Sequence, residues 1–237
     1  MGLHYDREVE RLKKRILSLG ALVEQNLHRA FAAFEKDDLD LCRTVIGTDI
    51  KIDEAEVEVE EDCLKILALH HPVAGDLRFI VAVSKIDNEL ERIGDLSANV
   101  CARTIDLARM SHLSVPTTML IMAERIEAML ANTLDAFVKS DPDLARQVLA
   151  DDREVDELFG RLIDELKEQI RRHLDMLDPL VIVFTVARYF ERLADRMTNI
   201  CEDVIYMVEG EIVRHQDPSF VDELLGRELR GESTEIG

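Results

Sequence analysis

The 237-residue chain contains no tryptophan, only 10 glycines and only 5 prolines. Residues that break helices are therefore scarce, whereas charged residues make up 33% of a composition rich in Ala, Leu, Glu, Lys and Arg. No uncharged apolar run reaches the roughly 18 residues that a membrane-spanning helix needs. These features predict an all-α protein without direct membrane insertion.

Several chemical signatures are also missing. The four cysteines stand singly, with no CxxC pair, so we interpret them as small buried thiols. They are Cys42, Cys63, Cys101 and Cys201. Nucleophile elbows, Walker loops and HExxH motifs are absent, and no histidine follows a glutamate by three residues as in ferritin-like di-iron proteins. We therefore expect a protein that is not an enzyme, in which His70 and His173 are solvated or cap helices.

The chain is strongly acidic, with 49 acidic against 29 basic residues and a formal net charge of -20. Such a chain repels the phosphate backbone of nucleic acids, so we expect no nucleic-acid partner. Because its N-terminal stretch is charged rather than apolar, we expect a cytoplasmic location. The acidic excess suggests carboxylate clusters that cations would relieve, although a solvated acidic surface is the commoner explanation.

The chain contains an internal repeat. A shift of 103 residues aligns residues 34–54 with residues 137–157, and ten of these 21 positions are identical. A shift of 100 aligns residues 77–105 with residues 177–205. The first-copy identities in this stretch are Leu77, Val81, Val83, Glu91, Arg92, Asp95, Asn99, Cys101 and Ile105. The repeat predicts two similar structural units in tandem.

Apolar spacing and turn residues predict three long helices per copy. In the first copy, the first helix covers residues 6–35. Helical structure resumes at Leu39, and the second helix begins near Asp49. The second helix ends at His71-Pro72, and Asp76 is placed to cap the third. The fold class is therefore two tandem three-helix bundles.

The second copy repeats this plan. Residues 111–116 join the copies, and Asp141-Pro142 and Asp178-Pro179 each predict an Asp N-cap followed by proline at the first helical position. The predicted domains are a first bundle over residues 1–112, a second over residues 113–215 and a polar tail over residues 216–237.

Pairs of acidic residues recur at a spacing of four. Glu91 and Asp95 lie on one face of the predicted third helix, where they can share a cation, and Asn99 extends the row. A second acidic pair occurs at the predicted start of each second helix. The candidate metal ligands are Asp49, Asp53, Glu91, Asp95 and Asn99 in the first copy, and Asp152, Asp156, Glu191, Asp195 and Asn199 in the second. Asp87 and Asp203 continue the rows as candidate extra ligands.

The acidic pairs of neighbouring helices are expected to meet. Antiparallel helices joined by a short turn bring together residues that are equidistant from the turn. Ala74, midway between Asp53 and Asp95, lies in the predicted turn, and the corresponding midpoint of the second copy also falls at its turn. All-oxygen clusters suit divalent or trivalent ions such as iron, manganese, magnesium or zinc, and bridging carboxylates could hold several.

Three readings of the acidic pairs remain open at this point. The pairs could be solvated faces neutralised by Arg92 and Arg192, so that the protein is a metal-free helical scaffold. They could belong to a carboxylate-bridged metalloenzyme, a hydrolase or an oxidase, although histidine ligands and a separate general base are lacking. The third reading is a regulatory adaptor whose clusters bind metal.

The duplicated motif resembles the signature of the PhoU family. Its residues are Glu91-Arg-Ile-Gly-Asp95 with Asn99, and Glu191-Arg-Leu-Ala-Asp195 with Asn199; Asp76-Leu-Arg78 and the stretch from Asn199 to Gly210 add to the likeness. The resemblance covers roughly residues 5–215. It implies two three-helix bundles with multinuclear metal sites on the acidic motifs, and a homodimer or higher assembly.

The same resemblance implies a negative regulator of the phosphate-starvation response. Its partners would be the high-affinity phosphate ABC transporter and the sensor histidine kinase, which could place the protein at the membrane periphery. Two departures stand out. The histidine that often follows the motif's aspartate is Leu96 in the first copy and Arg196 in the second, and the motif glycine is Ala194 in the second. We expect the two sites to differ, with Arg196 partly replacing a cation.

Overall fold

The computed structural model describes residues 3–110, 115–211 and 213, and this part of the chain forms six long α-helices and no β-strand. Helices α1 to α6 are, in chain order, Leu3–Lys36, Leu39–His70, Ala74–Met110, Thr117–Lys139, Pro142–Arg172 and Leu177–Glu209. A single 3₁₀ turn, Leu174–Met176, precedes α6. The predicted all-α fold class is confirmed.

Aspartate residues set the first helix boundary of each copy. After α1, Asp37 adopts a left-handed conformation with φ of 51°, and the carboxylate of Asp38 accepts a hydrogen bond of 3.0 Å from the N–H of Leu41. Asp141 caps α5 in the same way and accepts from two backbone N–H groups, both at 3.0 Å. Pro142 occupies the first turn of α5, where its missing N–H costs nothing. These boundaries agree with the sequence prediction.

The predicted helix boundary near Asp49 is wrong. Helix α2 is continuous from Leu39 to His70. Gly47 weakens helix formation locally, but Val45, Thr48 and Ile52 on the same helix are buried in the core. Tertiary packing of this face therefore outweighs the local signal.

The predicted N-caps of α3 and α6 lie inside the helices instead. Asp76 is in the first turn of α3, which begins at Ala74, and Asp178 and Pro179 are in the first turn of α6. A carboxylate in the first turn still interacts favourably with the helix dipole. Pro179 is tolerated because the first N–H groups of a helix have no intrahelical acceptor.

Helices α1–α3 form one bundle and α4–α6 the other, and α3 packs against α6 between them. This contact is antiparallel, since Lys85 pairs with Asp203 at 3.2 Å and Glu89 with Arg196 at 3.1 Å. One cluster of buried apolar side chains includes residues of all six helices. Within it, the ring of Phe190 on α6 lies 4.6 Å from that of Phe31 on α1. This large cluster joins the two bundles, and a smaller, separate apolar cluster lies between α1, α2 and α3.

The predictions for the cysteines and for membrane insertion can be compared with the structure, whereas those for the linker, the tail and the domain division cannot. All four cysteines are free and buried, as expected. None of the helices in the described segments combines the length and apolarity that a bilayer crossing needs. Residues 111–114 of the predicted linker and the predicted tail, residues 216–237, lie outside the described residues. The proposed domain division at residue 112 stays a prediction.

Candidate metal centres

Helices α2 and α3 bring four of the expected ligands into one group. This first carboxylate cluster consists of Asp49, Asp53, Glu91 and Asp95. Burial, followed by the charges of Asp95 and Asp53, raises the pKa of Asp49 to about 6. Burial and Asp95 also raise the pKa of Glu91, and the opposing effect of Arg92 does not cancel the increase. Carboxylates of the two helices therefore interact across the interface, as the midpoint of the turn predicts.

Helices α5 and α6 repeat the arrangement. The second carboxylate cluster consists of Asp152, Asp156, Glu191 and Asp195. Burial raises the pKa of Asp152 to about 7, with further contributions from Asp156, Asp195 and Glu191. The pKa values of Asp156 and Glu191 are also raised, in both cases mainly by burial. Arg188 and Arg192 lower that of Glu191 without reversing its shift. Arginine neutralisation is thus incomplete at both clusters.

Each cluster also contains a carboxylate oxygen that is shielded from solvent and accepts no hydrogen bond. Asp49 Oδ1 and Glu191 Oε2 have no hydrogen-bond partner although solvent hardly reaches them. Glu191 Oε2 has a long ion-pair contact of 3.8 Å with Arg188, so the uncompensated oxygen is that of Asp49. A buried, unpaired carboxylate oxygen is unfavourable by several kcal/mol unless a proton or a cation neutralises it. The donor set therefore fits a hard cation, which prefers oxygen ligands.

In neither cluster do three carboxylates place oxygen atoms close enough to one another to coordinate a single ion. Within residues 3–110 and 115–211, three donor atoms of His, Cys, Asp or Glu come within 4.8 Å of one another only at His4, Glu8 and His70. Like-charged carboxylates favour separation when no cation lies between them. The helices place the carboxylates on facing surfaces, and their side chains must rotate inward to hold an ion.

The first cluster extends further than the repeat predicts. Asp87 on α3 is fully buried, and neither of its carboxylate oxygens has a hydrogen-bond partner. Burial, followed by the charges of Glu56, Glu60 and Glu91, raises its pKa to about 8. Glu56 and Glu60 on α2 belong to no repeated motif, so the repeat does not predict their place in the cluster. Their spacing of three and seven residues from Asp53, on one helix face, was a usable signal.

The second copy lacks this extension. A shift of 103 residues places Phe159 at the position of Glu56 and Ile163 at that of Glu60, and a shift of 100 places Ala187 at that of Asp87. The guanidinium of Arg188 lies 5.9 Å from the centre of the Phe159 ring and 3.8 Å from Glu191. The second cluster is therefore smaller and closer to a positive charge.

Two predicted participants of the second site have other partners. Asp203, a candidate extra ligand, is buried and pairs with Lys85 at 3.2 Å; it is not among the groups that raise the pKa values of the second cluster. Arg196, expected to replace a cation there, donates a hydrogen bond of 3.1 Å to Glu89 of the first copy. Both side chains therefore link α3 to α6.

The two asparagines flank the clusters. Asn99 is exposed and lines a small open cavity with Asp95, Arg92, Arg192 and other residues between α3 and α6. Asn199 is half-buried, one turn beyond Asp195. Each could offer an amide oxygen at the edge of its cluster.

Comparison with known proteins identifies the family. The PhoU domain model matches the chain twice, at residues 16–104 and 119–204. The phosphate-specific transport system accessory protein PhoU of Serratia marcescens is 32% identical over 93% of this chain and 91% of that protein. The crystal structure of PhoU from Pseudomonas aeruginosa superposes with a TM-score of 0.83 at 31% identity, over 87% of this chain and 100% of that one.

A second solved structure supports the same assignment. The phosphate transport system regulatory protein PhoU from Streptococcus pneumoniae gives a TM-score of 0.81 at 26% identity, over 88% of this chain and 99% of that one. The two domain matches coincide with the two copies of the repeat, and the two acidic motifs fall one in each match. The tandem repeat and the resemblance read from the sequence are thereby confirmed, and the chain belongs to the PhoU family.

Proposed function

We propose that this chain is a metal-binding regulatory adaptor of phosphate uptake and signalling. The Serratia relative is named an accessory protein of phosphate-specific transport, and the Streptococcus protein a regulatory protein of the phosphate transport system. Neither name describes an enzyme, and the chain aligns with both over most of its length. These relationships support a non-enzymatic, accessory role in phosphate transport.

The proposed action is negative regulation of the phosphate-starvation response. The chain would act from the cytoplasm as a homodimer, contacting components of the phosphate ABC transporter and its sensor histidine kinase. Family membership supports these partners. The net charge of -20 supports protein surfaces rather than nucleic acid or anionic lipid as the sites of contact.

Metal binding is supported by one observation that recurs in both copies: burial and the charges of carboxylates on the neighbouring helix raise the pKa of a half-buried aspartate, Asp49 in the first copy and Asp152 in the second. A bound cation would supply the positive charge that allows these carboxylates to ionise together. Iron, manganese, magnesium and zinc are the candidates, and the extended first cluster has donors for more than one ion.

The carboxylates would also fix the position of one helix against another. Asp49 and Asp53 project from α2, and Glu91 and Asp95 from α3, so that an ion held by all four joins the two helices. Since α3 packs along α6, the state of the first cluster can affect the interface between the copies. The adaptor would then present a different surface in its loaded and unloaded forms.

The metal assignment is tested by elemental analysis of protein purified without an affinity tag. The double variant E91Q/D95N should hold less metal than wild type and keep its helical circular dichroism. E54Q/E61Q, which removes the same charge from exposed positions of α2, is the matched control and should keep wild-type metal content. Unchanged metal in E91Q/D95N would refute the assignment.

The regulatory assignment needs a separate test. In cells lacking this protein, a phosphate-starvation reporter should be active even in abundant phosphate, and the wild-type chain should restore repression. E91Q/D95N should restore it less well than E54Q/E61Q. Repression without the chain, or turnover of a phosphate ester by the purified metal-loaded protein, would reverse the proposed function.

A further inference from the structure

Two histidines and a glutamate meet where the start of α1 lies beside the end of α2. His4 and Glu8 are one turn apart on α1, and His70 is the last residue of α2. His70 Nε2 lies 2.7 Å from Glu8 Oε2, and His4 Nδ1 lies 3.8 Å from Glu8 Oε1. One donor atom from each residue lies within 4.8 Å of the other two. His70 lies in the last turn of α2, as the capping role expects, but its side chain pairs with Glu8 and is not simply solvated.

The glutamate is the fixed centre of this group. Its side chain is only 5% exposed, and contacts from both helices hold it in place. Lys65 Nζ lies 2.8 Å from Oε1 and supplies the compensating charge. The Lys65 side chain is 44% exposed, so it can swing into solvent and leave Glu8 to another cation.

The histidine rings are suited to closing around such a cation. The ring of Tyr5 packs edge-on against His70 at 5.4 Å, which restricts the orientation of that imidazole. His4 is 78% exposed and contacts His70 edge-on at 5.8 Å, so a change of rotamer can bring its nitrogen closer without displacing core residues. Glu8 is thus buried, the ring of His70 is held in one orientation, and the side chain of His4 is free to change rotamer.

We propose that His4, Glu8 and His70 form a binding site for a divalent transition-metal ion of the Zn²⁺ class. Two imidazole nitrogens and one carboxylate oxygen are a donor set that Zn²⁺ accepts, with a fourth position left for water or an external ligand. Imidazole also discriminates against Mg²⁺, which prefers oxygen donors.

The site is separate from the carboxylate clusters and does not rest on the function proposed above. Asp53 and His70 are 17 residues apart on α2, which corresponds to about 25 Å along the helix. Bound metal would tie the beginning of α1 to the end of α2, next to the turn into α3. The fourth coordination position would face outward, on the side of the exposed His4.

Copper provides the direct test, because Cu²⁺ bound to imidazole shows nitrogen hyperfine splitting in its electron paramagnetic resonance spectrum. Wild-type protein, with excess Mg²⁺ present to occupy all-oxygen sites, should show coupling to two nitrogens. H4A should show one, and H4A/H70A none. H173A is the matched control, since His173 is the counterpart of His70 in the second copy and is exposed.

Zinc affinity gives a second, quantitative readout. By calorimetry under the same conditions, H4A/H70A should bind at least about 100-fold more weakly than H173A, because even outer-shell partners of metal ligands contribute about 10- to 100-fold. K65M should bind more tightly, since the competing ammonium is removed. Thermal melting of the metal-free proteins checks that H4A/H70A remains folded.

Equal nitrogen coupling and equal Zn²⁺ affinity in H4A/H70A and H173A would overturn the proposal, and so would a K65M protein that gains no affinity. E91Q/D95N provides the remaining comparison. It should keep the two-nitrogen spectrum while losing metal from the carboxylate cluster, so the failure of one site can be recognised independently of the other.

Discussion

A β-carbon at Gly94 on α3 would lie 2.9 Å from Cδ1 of Ile52 on α2. The same position is 3.2 Å from Oδ1 of Asp49, so the close approach of the two helices occurs beside the first carboxylate cluster. In the second copy, Ala194 stands at the position of Gly94 and Val155 at that of Ile52. One copy pairs the larger side chain with glycine, and the other pairs the smaller with alanine, so total volume is conserved.

This compensation predicts the behaviour of two variants. G94A should destabilise the protein by roughly 1–3 kcal/mol, because the added methyl group overpacks a fully buried contact. I52V/G94A, which reproduces the pair of the second copy, should recover much of that loss. Urea denaturation of the metal-free proteins measures both effects. If the effects of I52V and G94A on the free energy of unfolding were additive, the two side chains would not compete for the same space.

The sequence determines most helix boundaries because their causes are local. Asp38 and Asp141 cap helices through side-chain bonds to backbone groups two or three residues away, and such bonds can be read from spacing. The continuity of α2 through Asp49 depends instead on burial of Thr48 and Ile52 against other helices. No local pattern contains that information.

The candidate sites also divide into features that follow from local sequence patterns and features that depend on packing between distant helices. The carboxylate clusters could be inferred because the repeat and the turn fix which residues of α2 face α3. Arg196 and Asp203 could not be placed, since their partners are on α3 of the other copy. His4 and His70 are 66 residues apart, on different helices and in no repeated motif, so only the packing of α1 on α2 reveals their proximity.

Asp87 makes the metal-free protein sensitive to pH. The pKa of its carboxyl is about 8 in the folded state, against 3.8 for the free group, so the folded chain holds a proton that the unfolded chain releases. This contribution to stability is complete below the unfolded pKa and is lost as pH rises through the folded pKa. Stability of the metal-free protein should therefore fall between pH 5 and pH 8.

Asparagine at position 87 isolates this effect, because it is neutral at every pH and has a similar shape. The stability advantage of D87N over wild type, both without metal, should grow from pH 5 to pH 8 by on the order of a few kcal/mol. Chemical denaturation at several pH values measures it, and E54Q at an exposed position is the control. An advantage that shrank with rising pH would contradict a raised pKa at Asp87.

A buried aspartate on α2 forms ion pairs with two partly exposed arginines of α1. Asp62 is 6% exposed at its side chain and accepts hydrogen bonds from Arg11 and, at 2.8 Å, from Arg15. D62N would remove the counter-charge of Arg11 and leave Arg15 paired with the exposed Glu58. Because both arginines are partly exposed, we expect a loss of roughly 1–3 kcal/mol rather than the full penalty of a buried charge.

The matched control is D40N. Asp40 pairs with Arg43 on the surface and its side chain is 91% exposed, so its replacement should change stability by less than about 0.5 kcal/mol. Thermal melting at low and high salt compares the two variants. A loss in D62N no larger than in D40N would show that the Asp62 pair does not stabilise the contact between α1 and α2.

The two carboxylate clusters should hold unequal amounts of metal. Asp87, Glu56 and Glu60 extend the first cluster, whereas the second has apolar residues at those positions and Arg188 beside Glu191. More donors and less positive charge favour more ions in the first cluster. E91Q/D95N should therefore remove more metal per chain than E191Q/D195N, the same change in the other copy.

Elemental analysis after saturation with Mn²⁺ and desalting gives the comparison directly. The two motif variants are matched controls, because they remove the same charge from equivalent positions of the two copies. E56Q/D87N should also lower metal content, because it removes the extension alone. D203N should leave metal content unchanged, since Asp203 pairs with Lys85 rather than joining the second cluster. Equal losses from the two motif variants would mean that the ligands common to both copies bind all of the metal.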